Sequence, residues 1–550
     1  MVRAGFALRR FTEPYQFFWN SASNSGYAFY QAFNLSPVTP GAPLPATGGY
    51  YAGSYELGMG QPAPYTLSPA TYQNVIPESN ETFFGYWTGV NGIDPNIRQP
   101  YVESWNLGIQ REIGQSNVIE IRYQGNRSVH QWVKLNPNEV NIFENGFLSE
   151  FKLAQQNLTA CMANASCAAN PSFQNQGLPG QSPLPILTAA FTNPGGLDPA
   201  GFSNGTFANY LNNGRAGDFA SDLAGSSTYL CNLIGSANFS PCALNGAANP
   251  GHGYPINFFQ ANPYNAGKAT GYLTDPGFGD YHALQVDWRQ RHWHGMQFDA
   301  NYTWSHTLGV QPGNTWTGAF RLFTMRNLRQ SYGPTLFDIR HVFHANGTYD
   351  LPFGKGKAMA NRGGVVDRVV GGWSIGTILT YQTGLPSQLI GGFRTTNGPA
   401  STPFGDGPGG FDLGDGGVVL TGVTVSQLQN AVGVTAAPGK TYAYGLDPAK
   451  YKPLLSSNTV AGTSSGNPFI HSPHEFFQDM AITKTVRIRE NLRFSLQTEF
   501  ENVWNHPVWG AVNGNIRSSN FGRVNVIRTF QNGLLAQGER QIGFRANIEF

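Results

Sequence analysis

Long apolar runs are missing from this sequence. No stretch approaches the roughly 18 apolar residues that a membrane-crossing helix requires, so no transmembrane helix is expected in these residues. Charge is scarce too: Asp, Glu, Lys and Arg make up 12% of the 550 residues, about half the share usual in soluble domains. The formal net charge is +2. No Lys/Arg-rich run tracks a phosphate backbone, so no nucleic-acid partner is expected. An export leader of ordinary form is not visible, because Met1-Val2-Arg3 leads only into the short run Ala4–Leu8 and then Arg9-Arg10. Cysteine is confined to Cys161, Cys167, Cys231 and Cys242. Their grouping in one irregular region suggests disulfides in an oxidising compartment. Proximity favours Cys161–Cys167 and Cys231–Cys242 among the three pairings that four cysteines allow.

Catalytic and cofactor motifs are equally scarce. The pattern GxSxG occurs at 201–205, 372–376 and 462–466, but the first and last fall in expected loops and the second inside an expected strand, so none has the strand–turn–helix context of a nucleophile elbow. Residues 433–441 (GVTAAPGKT) have the flavour of a phosphate loop, but Val434 stands where its first glycine is needed. His341 and His344 are three apart in a strand pattern, which points them to opposite faces. His471 and His474 lie in a loop, where metal binding is the minor reading. His292 and His294 flank Trp293 in a short turn, where headgroup contact is the simpler role. Asp406, Asp412 and Asp415 lack EF-hand spacing. The expectation is therefore no enzyme, no cofactor and no resident metal.

What is present is glycine (68 residues), aromatics (13%) and a mean hydropathy of −0.29. These suit many strands, tight turns and long polar loops. The clearest segments alternate with period two. In 540–550, Ile542, Phe544, Ala546, Ile548 and Phe550 oppose Gln541, Gly543, Arg545, Asn547 and Glu549. A one-residue slip would put Arg545 in lipid, at about 2–4 kcal/mol near the midplane. Similar alternation marks Trp105–Ile109, Ile119–Tyr123, Leu284–Trp288, Met296–Trp304, Phe337–Leu351 and Leu492–Phe500. Ten strands are predicted near 2–11, 101–113, 117–128, 280–291, 296–307, 336–351, 371–385, 475–487, 491–505 and 538–550. Joins alternate between long and short, as in outer-membrane barrels with long external loops and short periplasmic turns. The external loops fall near 12–100, 129–279, 308–335, 386–474 and 506–537. Short helices are expected at 149–158, with Ser149 as N-cap, and at 426–432. Lys484 sits awkwardly on the apolar face of its strand, and snorkelling to headgroups is the expected resolution.

The residues PYVESWNLGIQREIG (100–114), FENGFLSEFKLAQQNL (143–158), YHALQVDW (281–288) and NYTWSHTL (301–308) carry a resemblance. So do FDIRHVFHANGTYDLPFGKGK (337–357), GGWSIGTILTYQTGLP (371–386), LQTEFENVWNHPVWG (496–510) and the closing QIGFRANIEF. In order and spacing the chain resembles the C-terminal barrel portion of TonB-dependent transporters, particularly the Oar-like group. The resemblance implies an all-β fold: an antiparallel transmembrane β-barrel, of which residues 1–550 form a single partial domain with about the last ten of roughly 22 strands. It also implies that a signal peptide, a plug and earlier strands belong to the complete protein and are not in this sequence. Phe544, Ile548 and Phe550 resemble the assembly signal of outer-membrane proteins.

The expected location is the outer membrane of a Gram-negative-type bacterium. The expected partners are its lipid, the barrel-assembly machinery and, through the missing N-terminal part, the TonB–ExbB–ExbD system. The function implied is receptor-mediated uptake of an unidentified ligand. A surface or adhesion barrel and a passive porin-like pore are the alternatives. Tyr50, Tyr51, Phe83, Phe84 and Trp87 are candidate loop contacts for ligand, with loop packing as their alternative role.

Overall fold

Period-two alternation becomes a single meander of strands in the computed structural model. The structure describes residues 1–11, 91–114, 116–236, 249–261, 271–310, 324–335, 337–397, 416–437, 442–489, 492–524, 529–531, 534–536 and 540–550. The main sheet contains β1 (Val2–Arg10), β2 (Tyr101–Ile113), β3 (Asn117–Leu135), β4 (Gly271–Trp293) and β5 (Met296–Val310). It continues through β6 (His341–Asp350), β7 (Trp373–Gln382), β8 (Glu475–Arg489), β9 (Leu492–Glu501) and β10 (Gln541–Glu549). Each strand pairs antiparallel with its neighbours in sequence. Two short strands join this sheet, Asn91–Ile93 on β4 and Tyr332–Pro334 on β5. Among the described residues β1 pairs only with β2, β10 pairs only with β9, and the sheet does not close.

Register carries each face across the sheet. Leu107 lies opposite Tyr123, Tyr123 opposite Leu284, Leu284 opposite Trp304 and Trp304 opposite His341. A second row runs Tyr302, Phe343, Tyr381, Phe476. These residues share the apolar face. Turn chemistry sets the register: β4 and β5 are joined by His294 and Gly295, with φ of 51° and 84°. Both residues are left-handed, as a two-residue hairpin turn of the right twist requires. Gly125 is needed for another reason. A Cβ there would lie 2.3 Å from Trp105 Nε1, so the indole packs flat on bare backbone.

The strand boundaries differ from the sequence reading in two instructive places. β3 and β4 continue past their expected ends at 128 and 280, through register shifts around Val129, Gln131 and Val133. These bulges break the period of two, which hid the extension. β6 begins at His341 rather than near 336. Phe337–Arg340 is irregular, and Asp338 is fully buried instead of facing a lumen.

The described parts of the joins after β3, β7 and β9 fold into cored structure far beyond the two short helices expected. The β3–β4 join holds α1 (Phe147–Ala163), α2 (Ala165–Ala168), α3 (Pro185–Ala190), α4 (Gly205–Asn212), α5 (Ala216–Gly225) and α6 (Ser227–Ile234). Helix α1 starts earlier than expected, with Gly146 rather than Ser149 as N-cap, at φ 79°. These helices bury Phe147, Phe151, Phe173, Phe191, Phe207 and Phe219 in one core. Phe207 and Phe219 stack at 4.4 Å, and Phe147 meets Phe219 edge-on at 5.8 Å, geometries favoured by ring quadrupoles. A second core combines the β7–β8 and β9–β10 joins, through Leu389, Leu428, Ile470, Val512 and Phe521. The short-turn end carries α7 (Val365–Val370), and the β7–β8 join carries α8 (Val425–Ala431) with a Thr424–Gln427 capping box.

Face parity has a direct test. Ala345 lies on the apolar face opposite Ala300 and Leu379, and Asn346 lies on the polar face. Ala345→Arg is expected to lower the stability of the bilayer-folded protein by roughly 2–4 kcal/mol, with Asn346→Arg near neutral. Denaturant titration in phospholipid vesicles checks this, and equal effects at the two positions would contradict the assignment of faces.

Candidate functional site

The polar face is a continuous hydrogen-bonding wall. Glu120 lies directly opposite Asp287, and Asp287 opposite Asn301. Two carboxylates facing each other would repel. Arg122 relieves this, with guanidinium nitrogens 3.9 Å from Glu120 Oε1 and 3.9 Å from Asp287 Oδ2. Its Nε also donates to Gln285 Oε1 at 2.9 Å. Asn301 donates to Asp287 at 2.6 Å, and Thr303 donates to Asn301 at 3.2 Å. Beside this chain, Arg289 and Asp299 pair at 2.9 Å. His344 continues the wall by bonding Thr380 at 2.9 Å. Such a face suits water and polar solute.

The opposite face is apolar with aromatic groups at both ends. Toward the long joins, Tyr123 bonds His282 Nδ1 at 2.8 Å, Tyr302 bonds His341 Nδ1 at 2.8 Å and Trp504 donates to Gln478 at 2.7 Å. Toward the short turns, Trp288 stacks edge-on with Phe298 at 4.7 Å and donates to Asn117 at 3.2 Å. Along β4, Leu284, at the level of Trp304, is nine residues from Trp293. At ~3.3 Å per residue and a tilt of about 40°, that is roughly 23 Å, close to the apolar band of a membrane barrel. Lys484 sits on this face but does not snorkel freely. It donates to the carbonyls of Val369, at 3.1 Å, and Gly371, and lies 5.2 Å from the Trp373 ring. The lysine therefore satisfies carbonyls at the end of α7.

At the long-join end the loops are locked to one another. Glu139, from the β3–β4 join, accepts from Thr324 Oγ1 at 2.8 Å and Met325 N–H at 2.6 Å in the β5–β6 join. It also accepts from Asn397 Nδ2 at 2.5 Å in the β7–β8 join. Burial pushes the Glu139 carboxyl above its usual range, and these bonds only partly offset that. Nearby, Phe393 sits between two guanidinium groups, with Arg215 at 4.9 Å and Arg517 at 4.2 Å. Asp218 accepts from Arg215 at 2.6 Å and from the Arg394 N–H at 3.1 Å. Four joins are thus held in one assembly. Within the helical lobe, Glu150 accepts from the N–H groups of Ile186 and Leu187 at 2.9 and 2.7 Å, capping α3 from across the core.

Asp338 fastens this assembly to the rim of the sheet. Its Oδ1 accepts from Thr307 N–H at 2.8 Å and His306 Nδ1 at 2.9 Å, and its Oδ2 accepts from His471 Nε2 at 3.1 Å. Both imidazole nitrogens must carry protons for this. Arg340 adds a contact at 3.4 Å. Burial alone would raise this carboxyl, but the bonds from His471, His306 and Thr307 outweigh it and bring it from 3.8 to about 2. Between α1 and residues 459–461 runs a groove of 700 Å³ lined by Lys152, Gln155, Gln156, Thr159 and Val460.

Of the residues singled out in the sequence, Tyr50, Tyr51, Phe83, Phe84, Trp87 and Cys242 lie outside the described residues, as do Asp406, Asp412 and Asp415. Cys161 and Cys167 form a disulfide with Cα atoms 5.1 Å apart, and Cys231 is disulfide-bonded. His471 is taken up by Asp338, and His474 rests on Tyr381 with ring centroids 5.2 Å apart. Phe544, Ile548 and Phe550 lie exposed at the sheet edge formed by β10 and the chain end. Asp338, Glu139 and Asp218 escaped sequence reasoning, because their partners lie up to 258 residues away.

A sheet with one lipid-compatible face, one hydrated face, and long and short joins segregated to opposite ends is the wall of a membrane β-barrel. The family described as outer membrane beta barrel domain matches residues 1–542, and the chain belongs to it. This is an outer-membrane protein. A comparison with curated proteins gives no match. Among solved structures, the outer membrane transporter YddB from Escherichia coli aligns at TM-score 0.31 and 7% identity, over 84% of this chain and 34% of that one. The FrpB iron transporter from Neisseria meningitidis aligns at TM-score 0.26 and 7% identity, over 79% and 32%. FpvA of P. aeruginosa, in a complex with a heterologous pyoverdine and iron, aligns at TM-score 0.25 and 7% identity, over 78% and 26%. The chain therefore spans about a third of the length of the first of these.

The buried Asp338 and half-buried Glu139 carboxyls predict opposite pH responses. Asp338 is held below its ordinary value, so its contribution is complete above about pH 4 and is lost as pH falls toward about 2. Glu139 is raised, so its contribution is complete below the ordinary carboxylate range and declines as pH rises through its folded value. At neutral pH, Asp338→Asn should cost the loop assembly on the order of 2 kcal/mol, whereas Glu139→Gln should change it by less than about 1 kcal/mol. Pulse proteolysis of the loops across pH reads both, and equal losses would refute the assignment.

Proposed function

We propose that this chain is the barrel wall and ligand-capturing loop assembly of an outer-membrane receptor/transporter of the TonB-dependent kind. In this reading the long-join end faces outside and the short-turn end faces the periplasm. The observation that carries it is the interlocked assembly of four joins above a polar wall. Flexible loops around a passive pore need no phenylalanine core and no buried carboxylates. A pre-organised surface that must recognise a solute does, because ordering it beforehand lowers the entropic cost of binding. The groove beside α1 is a mixed surface, with Lys152, Gln156 and Thr159 set among Ala160, Ala163, Val460 and Ala461, and Tyr50, Tyr51, Phe83, Phe84 and Trp87 remain candidate aromatic contacts.

The polar wall supplies the hydrated route once the lumen opens. Among the described residues the outer edges of β1 and β10 have no partner strand, and in lipid their main-chain groups would need one. TonB–ExbB–ExbD would act through a plug domain, and the barrel-assembly machinery would read Phe544, Ile548 and Phe550. No catalytic step or cofactor enters the scheme.

The test uses intact cells carrying the complete protein. Replacing 136–261 with a short Gly/Ser linker is expected to abolish ligand capture and to leave heat-modifiable gel mobility unchanged. Inactivating TonB should block accumulation inside the cell and spare surface binding. Accumulation that persists without TonB would favour a passive pore, and binding that never leads to accumulation would favour an adhesion barrel.

A further inference from the structure

The join between β6 and β7 contains an apolar surface that nothing in the described protein covers. Helix α7 has six residues, four of them valine, and none is buried. Val365 is 75% exposed and Val369 64%, and neighbouring Met359 is 56% exposed. At 100° per residue the four valines fill one side of the helix, with Asp367 and Arg368 on the other. Phe353 and Met359 lie beside each other through a bridge of extended backbone.

This surface is held rigidly. Asp367 Oδ1 accepts from Lys355 N–H at 2.7 Å. A Cβ at Gly354 or Gly371 would fall 2.5 or 2.4 Å from that same oxygen, so both glycines are needed for the turn to close over the carboxylate. Trp373 donates from Nε1 to the Val369 carbonyl at 3.1 Å, and Lys484 donates to the same carbonyl at 3.1 Å. The helix is therefore pinned against the short-turn rim, at the edge of the lipid-facing side of β7 and β8.

Two observations identify what covers it. First, the surface is continuous with an established one. Trp373 and Lys484 face each other in register on the apolar side, next to the Ile375–Ile482 pair that faces lipid. Second, its net charge is positive. Residues 350–372 contain Lys355, Lys357, Arg362 and Arg368 against two acids, Asp367 and Asp350, the latter 3.8 Å from Lys357. Apolar side chains beneath a cationic fringe at the end of a hydrophobic band match the boundary between acyl chains and anionic headgroups.

The geometry points to residues 351–372 being a membrane-interface foot. Its valines, Phe353 and Met359 enter the acyl boundary of the periplasmic leaflet, and Lys355, Lys357, Arg362 and Arg368 gather anionic phospholipid. The foot fixes the height and tilt of β6–β8 in the bilayer, the same strands whose far ends carry the Asp338 latch. This rests on the barrel reading for which end is periplasmic.

The experiment places nitroxide labels at V365C or V369C of the full-length protein in bilayers of phosphatidylethanolamine and phosphatidylglycerol. Control labels sit at L379C, in the apolar band, and at S203C, in the helical lobe. Collisions with oxygen should exceed those with a nickel chelate at 365, 369 and 379, and the reverse should hold at 203. Labels at 365 and 369 that favour the nickel chelate, with 379 still favouring oxygen, would overturn the foot and leave the barrel intact. An aqueous 379 would instead remove the barrel reading itself. In a second arm, the combined K355Q, K357Q, R362Q and R368Q variant should lower the phosphatidylglycerol-to-phosphatidylethanolamine ratio of co-purified lipid by roughly threefold. An unchanged ratio would overturn the headgroup assignment.

Discussion

A strand in lipid has no water to bond its main chain, so each N–H and C=O facing a neighbour must be met by that neighbour. The meander from β1 to β10 answers this requirement strand by strand. Once pairing is compulsory, much else is constrained. Alternation becomes strict, because a slip would exchange the two faces. Turns at one end become tight, as at His294-Gly295. Irregularities are displaced toward the ends: the bulges of β3 lie around Val129–Val133, and that of β8 lies between Arg487 and Arg489.

The same constraint explains how a chain with 12% charged residues uses its charge. On the polar wall, charges are neutralised across strands, with Arg122 between Glu120 and Asp287. In the loop assembly a few buried or half-buried carboxylates act as fasteners between segments far apart in sequence. Glu139 ties three joins, and Asp338 ties His306 of β5 to His471 of the β7–β8 join. Buried carboxylates are costly unless their lone pairs are filled, and these are filled by two to four donors each. An assembly held this way is discrete in geometry, which suits recognition of a solute.

Lys484 shows how sequence and structure divide the explanation. Alternation along β8 places it on the apolar face, and the sequence offers only snorkelling as its escape. The structure supplies carbonyls of Val369 and Gly371 and the Trp373 ring. Those groups are more than 100 residues away and reach Lys484 only because β7 and β8 pair with Trp373 opposite it.

What the sequence determined by itself is local and periodic. Ten strands, the face each presents, the alternation of long and short joins and the left-handed turn glycines follow from side-chain period and turn chemistry within a dozen residues. These features survive because lipid removes the alternatives. The helical lobe left only traces: α1 was legible in SEFKLAQQNL, but α3 to α6 are short and owe their stability to phenylalanines spread from Phe147 to Phe259. Asp338 illustrates the limit. In sequence it reads as one polar residue of an alternating strand, whereas in the fold it is fully buried in an irregular segment. Only tertiary structure decided this, since a carboxylate's environment depends on which donors are brought to it, and those donors come from strands and loops that meet only after the sheet has formed.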